Sequence, residues 1–71
     1  MERELFNEIG ETLYGLAWFE PLAQHLGVPE SFIHDWSVGL HEVPEYIRNK
    51  LYLELRDRGN KILILIMTLE D

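Results

Sequence analysis

Between Leu22 and Trp36 the chain spaces its apolar and small residues in a way that few backbones satisfy. Leu22 and Ala23 are followed by Leu26, Gly27 and Val28, and then by Ile33 and Trp36. The first three share one face of a helix, and Ile33 and Trp36 share one face of the next. Ala23 is small enough to let the two helices cross closely. Gly27 takes a left-handed conformation at little cost, and Val28 plugs the corner behind it. These are the steric requirements of a helix-turn-helix, here spanning about Trp18 to Ser37.

The flanking sequence extends the helical pattern. Leu5, Ile9, Leu13 and Leu16, with Phe6, recur at helical spacing and predict a first amphipathic helix whose end is loosened by Gly15. A second runs from about Trp18 to Leu26, where Gly27 terminates it. Pro29-Glu30-Ser31 opens a third, because a first-turn proline forfeits no intrahelical hydrogen bond, and Gly39 closes it. Val43-Pro44-Glu45 starts a fourth, with Ile47, Leu51 and Leu55 at four-residue intervals. Gly59-Asn60 interrupts the pattern before Lys61-Ile62-Leu63-Ile64-Leu65-Ile66-Met67. The β-branched content of that run suits a strand, while Leu69 and the charged helix before it suit a helical continuation, the reading preferred here.

The expected fold is therefore all-α, a bundle of four to five helices in a single domain over 1–71. Residues 60–71 form an apolar C-terminal segment and a candidate homodimer contact through Ile62–Leu69. This segment is apolar on more than one face, so another chain or the first helix is expected to cover part of it.

Seventy-one residues support one modest core, and the absence of cysteine removes disulfides, thiolate metal sites and thiol nucleophiles. The start, Met1-Glu2-Arg3-Glu4-Leu5, lacks the basic and apolar regions of a secretion signal. The longest apolar run, Ile62 to Met67, falls far short of the roughly 20 residues that span a bilayer, so a cytoplasmic protein is expected. His25, His34 and His41 are too dispersed for a recognisable metal-ligand set. Ser31 and Ser37 have no histidine and acid in triad relation. No enzyme, cofactor or metal is expected.

With these residues in view, the chain resembles the lambda-repressor-like (Cro/repressor) helix-turn-helix family of phages and mobile elements. The resemblance rests on Leu13-Tyr14-Gly15, Trp18, Leu22 to Val28, Trp36 and Val43-Pro44-Glu45, and covers about residues 5–58. It implies a third helix that lies in the DNA major groove, aided by the start of the second. Carried onto this chain, the contact positions are Phe19 and Glu20, then Glu30, Ser31, Phe32, His34 and Asp35, then His41 and Glu42. Family members usually place Gln, Ser, Thr, Arg or Lys there. This chain has no arginine or lysine between Arg3 and Arg48.

The net charge of −7 is unevenly spread. Residues 1–47 hold nine acids against one base, whereas residues 48–71 hold five bases against four acids. A carboxylate about 6 Å from a phosphate in a watery interface costs on the order of 0.5–1 kcal/mol. Glu20, Glu30, Asp35 and Glu42 together would cost a DNA complex roughly 2–4 kcal/mol. The plainest reading of such acids is a solvated surface. The lack of bases at the contact positions favours instead an acidic module that binds a basic protein surface, through Glu20, Glu30, Ser31, Phe32, His34, Asp35 and Glu42. Its size and acidity resemble those of small phage-type inhibitors of nucleic-acid-binding machines, some anti-CRISPR proteins among them. The alternative is a small transcriptional regulator that binds operator DNA as a dimer, with Ser31, His34 and Asp35 reading bases and Arg48 and Lys50 meeting phosphates. Trp18 and Trp36 are expected in the core, while Phe32 is read equally as an exposed anchor or as packing against a neighbouring helix.

Overall fold

The computed structural model describes residues 1–70, which form four helices and no strand. They are α1 (Arg3–Tyr14), α2 (Phe19–Leu26), α3 (Glu30–Ser37) and α4 (Glu45–Glu70). The first three pack against one another, and the start of α4 closes the core with Ile47 and Leu51. Phe6, Leu22, Ile33, Ile47 and Leu51 are completely or almost completely buried. Each such side chain contributes about 1.5–3 kcal/mol over its exposed state.

Aromatic packing centres this core. The Phe6 ring meets Trp18 edge-on at 5.5 Å and Trp36 at 5.9 Å, so one residue of α1 touches the residue that opens α2 and one on α3. Trp18 lies directly over the backbone of Gly10, in the middle of α1. A Cβ at that position would overlap the indole ring, so glycine here serves close approach and not a turn. Polar ties reinforce the contact: Asn7 Nδ2 donates to the Ser37 carbonyl at 3.1 Å, joining α1 to the end of α3.

Three residues, Gly27, Val28 and Pro29, join α2 to α3. Gly27 is left-handed (φ 71°, ψ 33°), and the N–H groups of Gly27 and Val28 both donate to the Ala23 carbonyl. The otherwise orphaned end of α2 is thereby satisfied while the chain reverses. Pro29 is extended and delivers the chain into α3, and Val28 packs at the margin of the core.

Four expectations are corrected. The chain does not break at Gly59-Asn60, so the count is four helices and α4 runs unbroken for 26 residues. One exposed glycine costs a helix about 1 kcal/mol, too little to stop it between good helix formers. Leu16 does not face inward: α1 ends at Tyr14, the chain turns at Gly15, and Leu16 is 93% exposed. Leu5, one of the apolar residues at helical spacing in the first helix, is half-exposed. Finally, α1 does not cover the apolar segment, since every residue from Gly59 to Glu70 is exposed. The helix stands out from the body as an arm, and the molecule measures 47 × 23 × 21 Å. Its radius of gyration is 13.6 Å, against about 11 Å for a compact chain of this length.

The two helical glycines respond in opposite directions. Gly10→Ala should destabilise the protein by about 1–3 kcal/mol in urea unfolding, because the methyl displaces the Trp18 ring. Gly59→Ala, with nothing near the added carbon, should stabilise it by about 0.5–1 kcal/mol. Equal effects at the two positions would mean that Trp18 does not rest on α1.

Candidate interaction face on the third helix

The side chains α3 turns away from the core are those the sequence singles out. Ile33 and Trp36 point inward, leaving Glu30, Ser31, Phe32 and His34 exposed and Asp35 half-buried. Phe32 is 49% exposed and also meets the Trp36 ring edge-on at 6.0 Å, so it is both anchored and presented. Trp18 and Trp36 are core residues, as expected. Phe19 is partly buried, its ring against Trp18 at 4.6 Å and near the His34 ring at 6.4 Å.

Two shallow clefts divide the acidic residues. One, about 350 Å³, is lined by Glu20, Glu30, Phe19, Leu16 and Ala17. The other, about 340 Å³, is lined by Phe32, Asp35, His41, Glu42 and Tyr46. Each thus sets two carboxylates beside apolar surface. Leu16, Ala17 and Tyr46 are not among the contact positions the sequence predicts. Tyr46 could have been found, because it sits one residue from the inward Ile47 in a proline-started helix, and it is 58% exposed.

Among the described residues, none of Glu20, Glu30, Asp35 and Glu42 forms an ion pair with an arginine or lysine. Asp35 has only the neighbouring His34, with Nδ1 3.4 Å from Oδ1, and Glu20 accepts a 3.4 Å hydrogen bond from Gln24. Three of the six basic residues are engaged elsewhere. Arg3 reaches Glu4 and the Val38 carbonyl. Lys50 donates to the Leu26 carbonyl at the end of α2. Arg58 holds Glu54 at 2.6 Å and the Leu13 carbonyl at 2.7 Å, with its guanidinium over the Tyr14 ring. Arg48 faces a groove with Met1, Leu5 and Ile9. Arg48 and Lys50 therefore line neither acidic cleft.

Helix polarity adds to the picture. The first turns of α2, α3 and α4 carry Glu20, Glu30 and Glu45. A helix N-terminus carries about half a positive charge and attracts anions, and here the protein's own carboxylates answer it. Among the described residues no three His, Asp or Glu side chains come together as a metal site, and no helix is long and apolar enough to cross a membrane. Compared with protein-family models, curated proteins and solved structures, the chain finds no match in any of the three.

These carboxylates stabilise little, so their removal should leave the fold intact. Glu20→Gln, Glu30→Gln and Asp35→Asn should each shift unfolding free energy by less than about 1 kcal/mol, mostly through the helix-end terms. A loss of several kcal/mol in thermal or urea unfolding would assign them a structural role instead.

Proposed function

We propose that this chain is a helix-turn-helix-derived binding module whose acidic α3 face docks on a basic protein surface, of the kind that otherwise holds nucleic acid. It is read as a binder and not as an enzyme. The observation that carries this reading is the state of the carboxylates. Among the described residues, Glu20, Glu30, Asp35 and Glu42 flank α3 without an arginine or lysine ion-pair partner, while Arg3, Lys50 and Arg58 are tied to carbonyls or acids elsewhere. In a helix-turn-helix on DNA, the helix N-termini and nearby bases receive phosphates. Here glutamates occupy those ends, so the surface offers negative charge where a phosphate would arrive. Phe32 and Tyr46, exposed within one acidic cleft, supply the apolar contact that gives an electrostatic encounter its residence time.

A second reading, operator binding by a small regulator, draws support from the backbone. Two eight-residue helices joined through a left-handed glycine suit that motif, and α3 exposes Ser31 and His34 beside Asp35. It requires phosphate neutralisation by Arg48 and Lys50, of which Lys50 is tied to the Leu26 carbonyl.

The two readings part on duplex DNA. Selection from random duplexes at controlled salt should enrich no sequence. A protein retained from host lysate on the immobilised chain should be released by moderate salt and by the double variant Glu30→Lys with Asp35→Lys. Enrichment of one operator, with an affinity that falls by several powers of the salt concentration, would establish the regulator instead. Retention unchanged by the double variant would remove the acidic face from the mechanism.

A further inference from the structure

Three parts of the chain assemble the cleft at the end of α3. Phe32, Asp35 and Trp36 stand at i, i+3 and i+4 on that helix and so share one face. The connector after α3 folds back on it, because the Leu40 and His41 N–H groups both donate to the Asp35 carbonyl, at 2.9 and 3.4 Å. His41 and Glu42 thereby join Asp35 in the wall, and Tyr46, in the first turn of α4, completes it.

The rings form a corner. Phe32 and Trp36 meet at 71° with their centroids 6.0 Å apart, and Phe32 and Tyr46 are both about half exposed. Asp35 and Glu42 supply carboxylates, and among the described residues no arginine or lysine lines the cleft. Lys50 Nζ lies 6.0 Å from the Tyr46 centroid, at the outer limit of a cation–π contact, but its hydrogen bond goes to the Leu26 carbonyl. His34 Nδ1 meets one oxygen of Asp35, and among the described residues the other has no partner. Carboxylates alone do not distinguish this cleft. The one at the start of α2 also has two, but its apolar wall is Leu16, Ala17 and Phe19, and the Phe19 ring is packed against Trp18. Of the two, the α3–α4 cleft is the one that joins acids to exposed rings.

Rings and carboxylates around one cavity suit an organic cation. The ring quadrupole attracts its charge, and the carboxylates accept its N–H groups. A quaternary ammonium has no hydrogen to donate and would leave both acids unanswered. A lysine ammonium is compact and strongly hydrated, and must shed that water to lie against a ring. An arginine guanidinium is planar, weakly hydrated and forked, so its face rests on rings while its edge meets carboxylates. The cleft volume, about 340 Å³, stands near the bottom of the small-ligand range of roughly 300–1,000 Å³, which suits one side chain.

We propose that this cleft receives one arginine side chain of the partner protein, its guanidinium paired with Asp35 and Glu42 and its plane against the Phe32 and Tyr46 rings. The inference rests on the reading of α3 as a protein-docking face, and it names the residue that anchors the docked surface.

NMR titration with the peptide acetyl-Gly-Arg-Gly-amide at pH 8, where histidine side chains carry little charge, tests the site. The peptide should shift the Phe32 and Tyr46 ring signals saturably, with a millimolar dissociation constant. The citrulline peptide, equal in shape but neutral, should shift neither, and the lysine peptide should bind about three- to tenfold more weakly. Phe32→Leu, and separately Asp35→Asn with Glu42→Gln, should each weaken the arginine peptide about tenfold, with helical circular dichroism unchanged. Tyr46→Phe, which keeps the ring, and Glu20→Gln with Glu30→Gln, in the other cleft, should each change it less than about twofold. Equal binding of the citrulline or lysine peptide, or no saturable shift with arginine, would overturn the proposal. If the arginine peptide binds as described but no protein is retained from lysate, the docking reading fails while the cleft's preference for arginine stands. If a protein is retained equally by the Phe32→Leu chain and the peptide does not bind, the arginine site fails while the docking reading stands.

Discussion

The fold depends on Trp18 lying flat over a helix that has no side chain at the point of contact. Gly10 removes the obstacle, and the indole then sits against both the α1 backbone and the Phe6 ring, which in turn meets Trp36. Three helices converge on that cluster. The contact is expensive locally, because a glycine inside a helix costs about 1 kcal/mol relative to alanine. Burial of two indoles and a phenyl ring outweighs it several times over. With α1 and α2 locked in this way, α3 has only one side free, and the identity of its outward residues follows.

The charge distribution separates support from presentation. Arg58 and Lys50 cap carbonyls at the ends of α1 and α2, and Arg58 also holds Glu54, which lies 3.3 Å from His25. These ties cross between α4 and the rest of the body, where partial burial makes hydrogen bonds to charged groups worth having. The carboxylates beside α3 take no such part. Their field is left uncompensated by arginine or lysine, so they act on whatever approaches, and screening limits their reach to about 8–10 Å at ordinary salt.

Much of this was legible in the sequence, for a physical reason that also marks where legibility ends. Leu22, Ala23, Leu26, Ile33 and Trp36 declare themselves because helical periodicity and core burial point the same way. Leu16 misleads because the periodicity of α1 continues into the connector after the backbone has turned at Gly15. Gly59 misleads in the opposite sense: local propensity disfavours helix there, but stopping and restarting a helix costs more than one glycine does. The acids of the α3 face could be named in advance, whereas their division between two clefts could not. That division depends on how residues 15–18 and 38–44 fold alongside α3, which no short-range pattern encodes. Gly10 was silent for the same reason, since its role exists only once Trp18 arrives from eight residues away.

The uninterrupted course of α4 makes one helix both a wall of the core and the whole of the arm. Its body-facing residues and its outer residues therefore keep a fixed angular phase. Inserting or deleting one residue near Gly59 would advance or retard the outer half by about 100° and move it about 1.5 Å along the axis, leaving the core untouched. From Gly59 outward, side chains at that junction are exposed and free to vary. Its length is not: a change of chain count there acts as a rotation, and only steps near a whole number of turns return the arm to its original bearing.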